Sequence, residues 1–472
     1  MKIPVIFVES PLGAVGYPGG LVPRSFVDGL SAESKRYLEI FWNWSGKLKS
    51  SVLDRLRSIF PSVEFAVYSI RYLEDVRGII DKLRDSVGIL VIDLQGGGDI
   101  IDQLAGLGKP MIVIAEALGG GVDALLSHGG YSMSVSEYEH VHYAKSLDDY
   151  PILMISTRRI DSEGVLGKVR YLEVLDRLRN THALIVVPSS KVAIWDTLND
   201  VSRITGIKFS VIHDRDFVDR YYSRVSDEEA KPIAEAWVKG AYQYPDPDRQ
   251  WPEVLKSARL YIAMNRVLED YKANAISIDC LGLQLINKVT LDAWPCLGYM
   301  QLWLDGRYVP MCEADANSLA VALIGRYLLN VSASATDPVV DELTNEITYF
   351  HCYLPINPKP GIRLRYSITP SHAGTRYAAV NVEFPINNEV TAVGLDASSR
   401  IMYIHTATVS GNELSAPACA TKVIAKTNVQ QIKRKWGGGW HRVLFLGNHK
   451  QEFIEVAKLL GLKIVDENGE LT

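Results

Sequence analysis

Asp279, Glu313, Asp315, Asp337, His351 and His441 are the residues of this chain best suited to hold a hard cation. Carboxylates and imidazoles without a thiolate cluster beside them favour manganese, magnesium or cobalt. Glu313 and Asp315 interrupt an apolar run in Met311-Cys312-Glu313-Ala314-Asp315-Ala316-Asn317-Ser318-Leu319. Tyr308 to Met311 reads as a buried strand, and Ser318 to Leu329 repeats apolar residues at helical spacing, so Glu313 falls at a strand-to-helix junction. Such junctions commonly hold active sites. A carboxylate leaving a buried strand is desolvated unless a cation or several donors meet it, which fits a divalent metal or a proton-transfer role. The structural alternative is that Asp315 or Asn317 caps the helix while Glu313 accepts backbone donors.

The other candidates carry structural alternatives too. Asp337 precedes Pro338, the order of a helix cap followed by proline at the first helical position. A lone histidine such as His213 or His405, and His351 taken alone, reads first as a satisfied structural group. His441 is better placed, because it follows Lys435-Trp436-Gly437-Gly438-Gly439-Trp440, a loop that can bring backbone close to a ligand, and precedes an apolar strand. His449 begins the last helix and is the second choice there.

These residues must be positioned by a layered chain. Short β-branched runs at Val5 to Val8, Glu64 to Ile70, Gly88 to Leu94 and Pro110 to Ile114 alternate with helical stretches, a parallel α/β pattern. A second such unit is expected from Tyr150-Pro151, with strands Ile152 to Ser156, Ala183 to Val187 and Phe209 to Ile212. Pro245-Asp246-Pro247-Asp248 reads as a break before the amphipathic stretch Val254 to Tyr271 and the strand Ala275 to Asp279. After about residue 345 the texture is that of short antiparallel strands, at Ile347 to Tyr353, Arg363 to Ile368, Tyr377 to Phe384, Val390 to Gly394, Ile401 to Val409 and Arg442 to Leu446, before a helix near Gln451 to Leu460. The expected fold class is therefore α/β, two Rossmann-like parallel-sheet domains (1–150 and 151–335) followed by a mainly antiparallel, barrel-like C-terminal domain (336–472). Glu313 would belong to the second domain, Asp337 and His441 to the third.

At 472 residues the chain exceeds one hydrophobic core. A formal charge of -5 gives no broad basic field for nucleic acid, so a small-molecule partner is expected. Five cysteines, widely spaced and without a Cys-x-x-Cys pair, argue against zinc ribbons and disulfide frameworks. The N-terminus is too soon polar for a signal peptide, and no uncharged apolar run reaches the roughly 18 residues of a membrane span, so a cytoplasmic location is expected. The glycines at Gly96-Gly97-Gly98 and Gly119-Gly120-Gly121 match neither a G-x-G-x-x-G nor a Walker pattern and read as a cleft rim. Trp42 and Trp44 read as packing residues, with stacking on a sugar as the alternative.

On these residues the second and third domains resemble the L-fucose isomerase and L-arabinose isomerase family of metal-dependent aldose-ketose isomerases. Cys312-Glu313-Ala314-Asp315, with Gly325 twelve residues after the glutamate, is similar to the family's acid-bearing strand end and small-residue helix. The second carboxylate of the fucose isomerase pattern follows the glutamate by 24 residues, which leads from Glu313 to Asp337. Gly439-Trp440-His441 through Gly447-Asn448-His449 resembles the family's glycine, histidine, apolar strand, glycine and second histidine. The likeness runs from about Val254 to Val465 and is architectural before that.

The resemblance implies a metal held by Glu313, Asp337 and His441. His351, placed like a further histidine of the arabinose isomerase branch, would be a fourth ligand or a substrate contact. It implies manganese as the ion, with magnesium or cobalt as alternatives, and Glu313 and Asp337 as the catalytic acid/base pair of a ketol isomerisation through an enediol. The sugar would be of the L-fucose, L-arabinose or D-arabinose type, and the assembly a homo-oligomer, trimer or hexamer. The rival reading from another class is a non-catalytic sugar-binding or regulatory protein, since two α/β domains around a cleft are also the plan of sugar receptors. A dehydrogenase using the N-terminal glycine loops is a second rival, weakened by the missing dinucleotide fingerprint.

Overall fold

The structure is a computed structural model that describes residues 1–11, 22–95, 98–116, 150–191, 194–283, 291–371, 376–413 and 419–469. Gly96, Gly97 and the run Gly119 to Gly121 lie outside the described residues. The protein is α/β, with two parallel sheets and a mixed C-terminal sheet. The chain divides into two compact units, Met1–Asp176 with Glu455–Leu462, and Arg177–Ile454 with Lys463–Thr472.

The first unit is built on a five-stranded sheet. Its strands are β1 (Lys2–Glu9), β2 (Glu64–Ile70), β3 (Ile89–Gln95), β4 (Met111–Glu116) and β5 (Ile152–Thr157), in the order β2-β1-β3-β4-β5 with every pair parallel. Near-continuous apolar runs such as Ile89-Leu90-Val91-Ile92 are what a sheet covered on both faces requires. Ile6, Val8, Val91 and Val113 form one core with Val76, Ile79 and Leu83 of the helix Leu73–Leu83. The strand Ile152–Thr157, expected to open the second unit, instead pairs with β4 at the edge of this first sheet. Its partly buried pattern is that of an edge strand, and composition alone cannot say which sheet receives it. The Arg71 guanidinium lies over Trp42, 4.8 Å from the indole centroid, and Trp44, itself exposed, stands 5.7 Å from the Phe41 ring.

The second unit begins with a four-stranded parallel sheet. It comprises β6 (His182–Val187), β7 (Lys208–His213), β8 (Ala275–Ile278) and β9 (Val309–Cys312), ordered β7-β6-β8-β9. Pro245 to Asp248, read as a break, is the start of the helix Pro247–Asp270: Asp246 caps it by accepting from Arg249 N, with proline in the first turn, where no intrahelical donor is needed.

The C-terminal strands are β10 (Ser334–Asp341), β11 (Glu346–His351), β12 (Tyr366–Ser371), β13 (Arg376–Val382), β14 (Glu389–Asp396), β15 (Ile401–Asn412), β16 (Thr421–Lys426), β17 (Arg442–Leu446) and β18 (Lys463–Asp466). Of these, β12 and β13 make a separate hairpin pair. The remaining seven form one sheet in the order β14-β17-β10-β11-β16-β15-β18, in which β14 also pairs with β15. Every pair is antiparallel except β15 with β18. The helix Ala316–Leu329 packs on this sheet at Gly325, where an added Cβ would stand 2.3 Å from Phe445 Cε1. That glycine serves a close helix-to-strand approach. Among the described residues no helix is long and apolar enough to cross a membrane.

Candidate metal centre

Glu313 is set by a tight turn at the end of β9. Ser277 Oγ donates to the Met311 carbonyl at 2.8 Å and ties β9 to β8, and Asp315 N donates back to the Cys312 carbonyl at 3.2 Å. The two residues between, Glu313 and Ala314, both have left-handed backbone, with φ of 61° and 54°. Neither is glycine, so each conformation costs about 1–3 kcal/mol and must be held by its surroundings. Asp315 provides part of that hold. It caps the helix Ala316–Leu329 by accepting from Ser318 N at 3.1 Å, which answers the choice between Asp315 and Asn317 as cap. Asn317 instead accepts from Ala397 N at 3.3 Å.

The remaining residues come from three adjacent strands, β17, β10 and β11. Asp337 lies inside β10, opposite Phe350 of β11, so the reading of Asp337-Pro338 as a helix start is corrected. Pro338 fits because β17 covers only Ser334 to Thr336, leaving β10 a free side beyond. His351 ends β11, and His441 directly precedes β17. The ladder places Thr336 opposite Arg442, so Asp337 and His441 are the next residues out on each strand.

Glu313 Oε1 is 3.6 Å from His351 Nε2, and Glu313 Oε2 is 3.5 Å from His441 Nε2. His441 Nε2 is also 3.5 Å from Asp337 Oδ1, and the two imidazoles meet edge to face at 5.7 Å. These separations are too long for good hydrogen bonds. They suit atoms that share one cation, since ligands at about 2.1 Å from an ion stand roughly 3.0–3.6 Å from one another. Glu313, His351 and His441 form a cluster that could bind a metal ion, one ligand atom from each lying within 4.8 Å of the others.

The buried polar atoms fit that occupant. Among the described residues, Asp337 Oδ1 and both ring nitrogens of His351 are buried without a hydrogen-bond partner, and His351 is 1% exposed. Orphaned acceptors of this kind cost on the order of 1–3 kcal/mol each unless something meets them.

Electrostatics bind the group together. Burial works against ionised Glu313, yet the nearby His351 and His441 imidazoles outweigh it and hold the carboxyl far below the usual range. Burial likewise opposes a charged His441, but Asp315 and Glu313 push it up to about 10. His351 is raised by Glu313 against its own burial. Asp337 is raised chiefly by burial, with Glu313 adding to it and the two histidines acting the other way.

A second buried network fixes the strand that carries His441. Arg442, 0% exposed, meets Glu467 with Nε at 3.1 Å and Nη2 at 2.6 Å, and donates to the carbonyls of Gly437 and His441 at 2.8 and 2.9 Å. Glu467 also accepts from His405 Nδ1 at 2.7 Å, and the other His405 nitrogen meets Tyr349 Oη at 2.7 Å. His405 is thus a structural histidine. Asp279 stands apart from the cluster, engaged by Lys191 Nζ at 2.8 Å and Gly282 N at 3.0 Å. His449 precedes the helix Lys450–Leu459 and turns its Nε2 to the Leu446 carbonyl at 3.2 Å. Sequence reasoning missed Glu467, which carries no local signal, and the contact of Asp315 with His441, whose one hint was a second acid two residues after Glu313.

No protein-family model matches the chain, and no curated protein matches it.

Proposed function

We propose that this protein is a divalent-metal-dependent isomerase that interconverts an aldose and a ketose. The observation that carries the reading is the convergence of Glu313, Asp337, His351 and His441 around buried atoms that lack hydrogen-bond partners among the described residues. The motif resemblance from Glu313 to His449 supports it. Manganese is the preferred ion, because two imidazoles and two carboxylates form an N/O set with no thiolate among them. When bound, such an ion supplies Lewis-acid stabilisation of negative charge developing on adjacent sugar oxygens.

The chain's own residues then account for the proton movements. Moving a carbonyl between C1 and C2 takes a proton from one carbon, returns it to the neighbouring carbon, and shifts a hydroxyl proton between the two oxygens in the same direction. Glu313 and Asp337 are the two carboxylates facing His441 Nε2, and we assign that pair both transfers.

The same reading extends to the architecture. The cycle of pairings β14-β17-β10-β11-β16-β15-β14 is taken as a barrel, and the two parallel sheets as Rossmann-like domains. The proposed substrate is a small neutral sugar, and the proposed assembly a homo-oligomer. The test is ketose formation from L-fucose, L-arabinose and D-arabinose with manganese, before and after chelation. Activity is expected to vanish with chelator and in Glu313→Gln; sugar binding without turnover would favour the receptor reading.

A further inference from the structure

Asp315 makes a contact that helix capping does not require: its Oδ2 lies 2.8 Å from His441 Nδ1, across 126 residues of sequence. Capping is already performed by Oδ1, which accepts from Ser318 N, while Ser318 Oγ donates to Oδ2 at 2.5 Å. An ionised carboxylate can only accept, so Nδ1 must be the donor in this pair. With the proton fixed on Nδ1, neutral His441 carries its lone pair on Nε2, the atom that stands 3.5 Å from both Glu313 Oε2 and Asp337 Oδ1.

We propose that Asp315 is a positioning residue that locks the tautomer and ring orientation of His441, so that one turn sets both a direct ligand, Glu313, and the partner of a second ligand from a distant strand. This rests on the metal-site reading above. The turn Cys312–Asp315 is anchored by the helix it caps, and its two left-handed residues leave it little freedom to drift. His441 is fixed from its other side by its carbonyl, which accepts from Arg442 Nη1. The backbone of His441 and its ring Nδ1 are therefore both held before an ion arrives, which lowers the ordering cost of binding.

Asp315→Asn separates this role from capping. Asparagine is as good a cap as aspartate, but an amide has a single oxygen. If that oxygen keeps Ser318 N, the NH2 group faces His441 Nδ1 and drives the proton to Nε2, where it blocks the ion. Titration calorimetry with manganese chloride on the full chain should give affinity about 10–100-fold below wild type. Asp315→Ser, which caps but is too short to reach His441, should show the same loss. In zinc-loaded protein, the nitrogen NMR signature of protonated Nδ1 and metal-bound Nε2 at His441 should be present in wild type and absent in Asp315→Asn. Equal manganese affinity in wild type and both variants overturns the positioning role alone. Wild-type protein that takes up neither ion overturns the metal site, and the positioning role with it.

Discussion

Thr336 stands opposite Arg442 in the ladder of β10 and β17, and one step further out Asp337 Oδ1 lies 3.5 Å from His441 Nε2. A one-residue slip in that ladder would turn one of the two side chains to the other face and separate them. The register is pinned where it matters: Thr336 Oγ1 donates to the Arg442 carbonyl at 2.7 Å, and the Arg442 side chain is buried against Glu467.

Replacing Glu313 by glutamine should weaken manganese binding by more than about a hundredfold, because a direct ligand is lost where even an outer-shell partner is worth 10–100-fold. Equilibrium dialysis against manganese checks this. Asp279→Asn, engaged with Lys191 outside the cluster, should leave the affinity unchanged, and a loss there would place the ion at Asp279 instead.

The metal-free protein should lose stability as pH rises from about 6.5 to 10. His441 is raised in the folded state to about 10, so the stability it contributes is fully present below its unfolded value of 6.5 and is lost as pH passes the folded value. Glu313 and Asp315 are lowered, so their contribution holds above the ordinary carboxylate range and is lost on acidification. Thermal melts of chelated protein across this window should therefore slope downward toward alkali, and His441→Gln should flatten the slope. Manganese affinity should climb over the same range, because the ion displaces a proton from Nε2.

Glu467→Gln should destabilise the fold by about 3–5 kcal/mol, since it leaves the buried Arg442 guanidinium without its countercharge. Urea unfolding measures this. A change below about 1 kcal/mol would mean that the Gly437 and His441 carbonyls alone suffice for Arg442.

Gly325→Ala should cost about 1–3 kcal/mol through overpacking, as the new Cβ would meet Phe445 Cε1 at 2.3 Å. Phe445→Leu in the same chain should recover part of that loss. If Gly325→Ala instead stabilises by improving helix propensity, the helix has room to move off β17.

Much of the layered organisation was legible in the residues, because β-branched runs between charged helical stretches leave few ways to bury their apolar faces. The strands at Glu64–Ile70 and Arg442–Leu446 were read at their observed limits. Strands β10, β16 and β18 were not. In β10, Asp337-Pro338 carries a helix-start signal that a one-sided strand position tolerates equally well, so local preference was overridden by pairing.

The sequence by itself determined which side chains could hold a hard cation, since residue type sets charge and ligand hardness wherever the chain folds. It also determined that Glu313 would sit between a buried strand and a capped helix, because hydrophobic spacing and capping chemistry act over a few residues. Only the tertiary structure decided that Asp279 goes to Lys191, that His405 closes a structural network, and that Asp315 reaches His441. Those outcomes depend on strand register and turn geometry, which bring together residues more than a hundred positions apart in the case of Asp315 and leave no mark on local spacing.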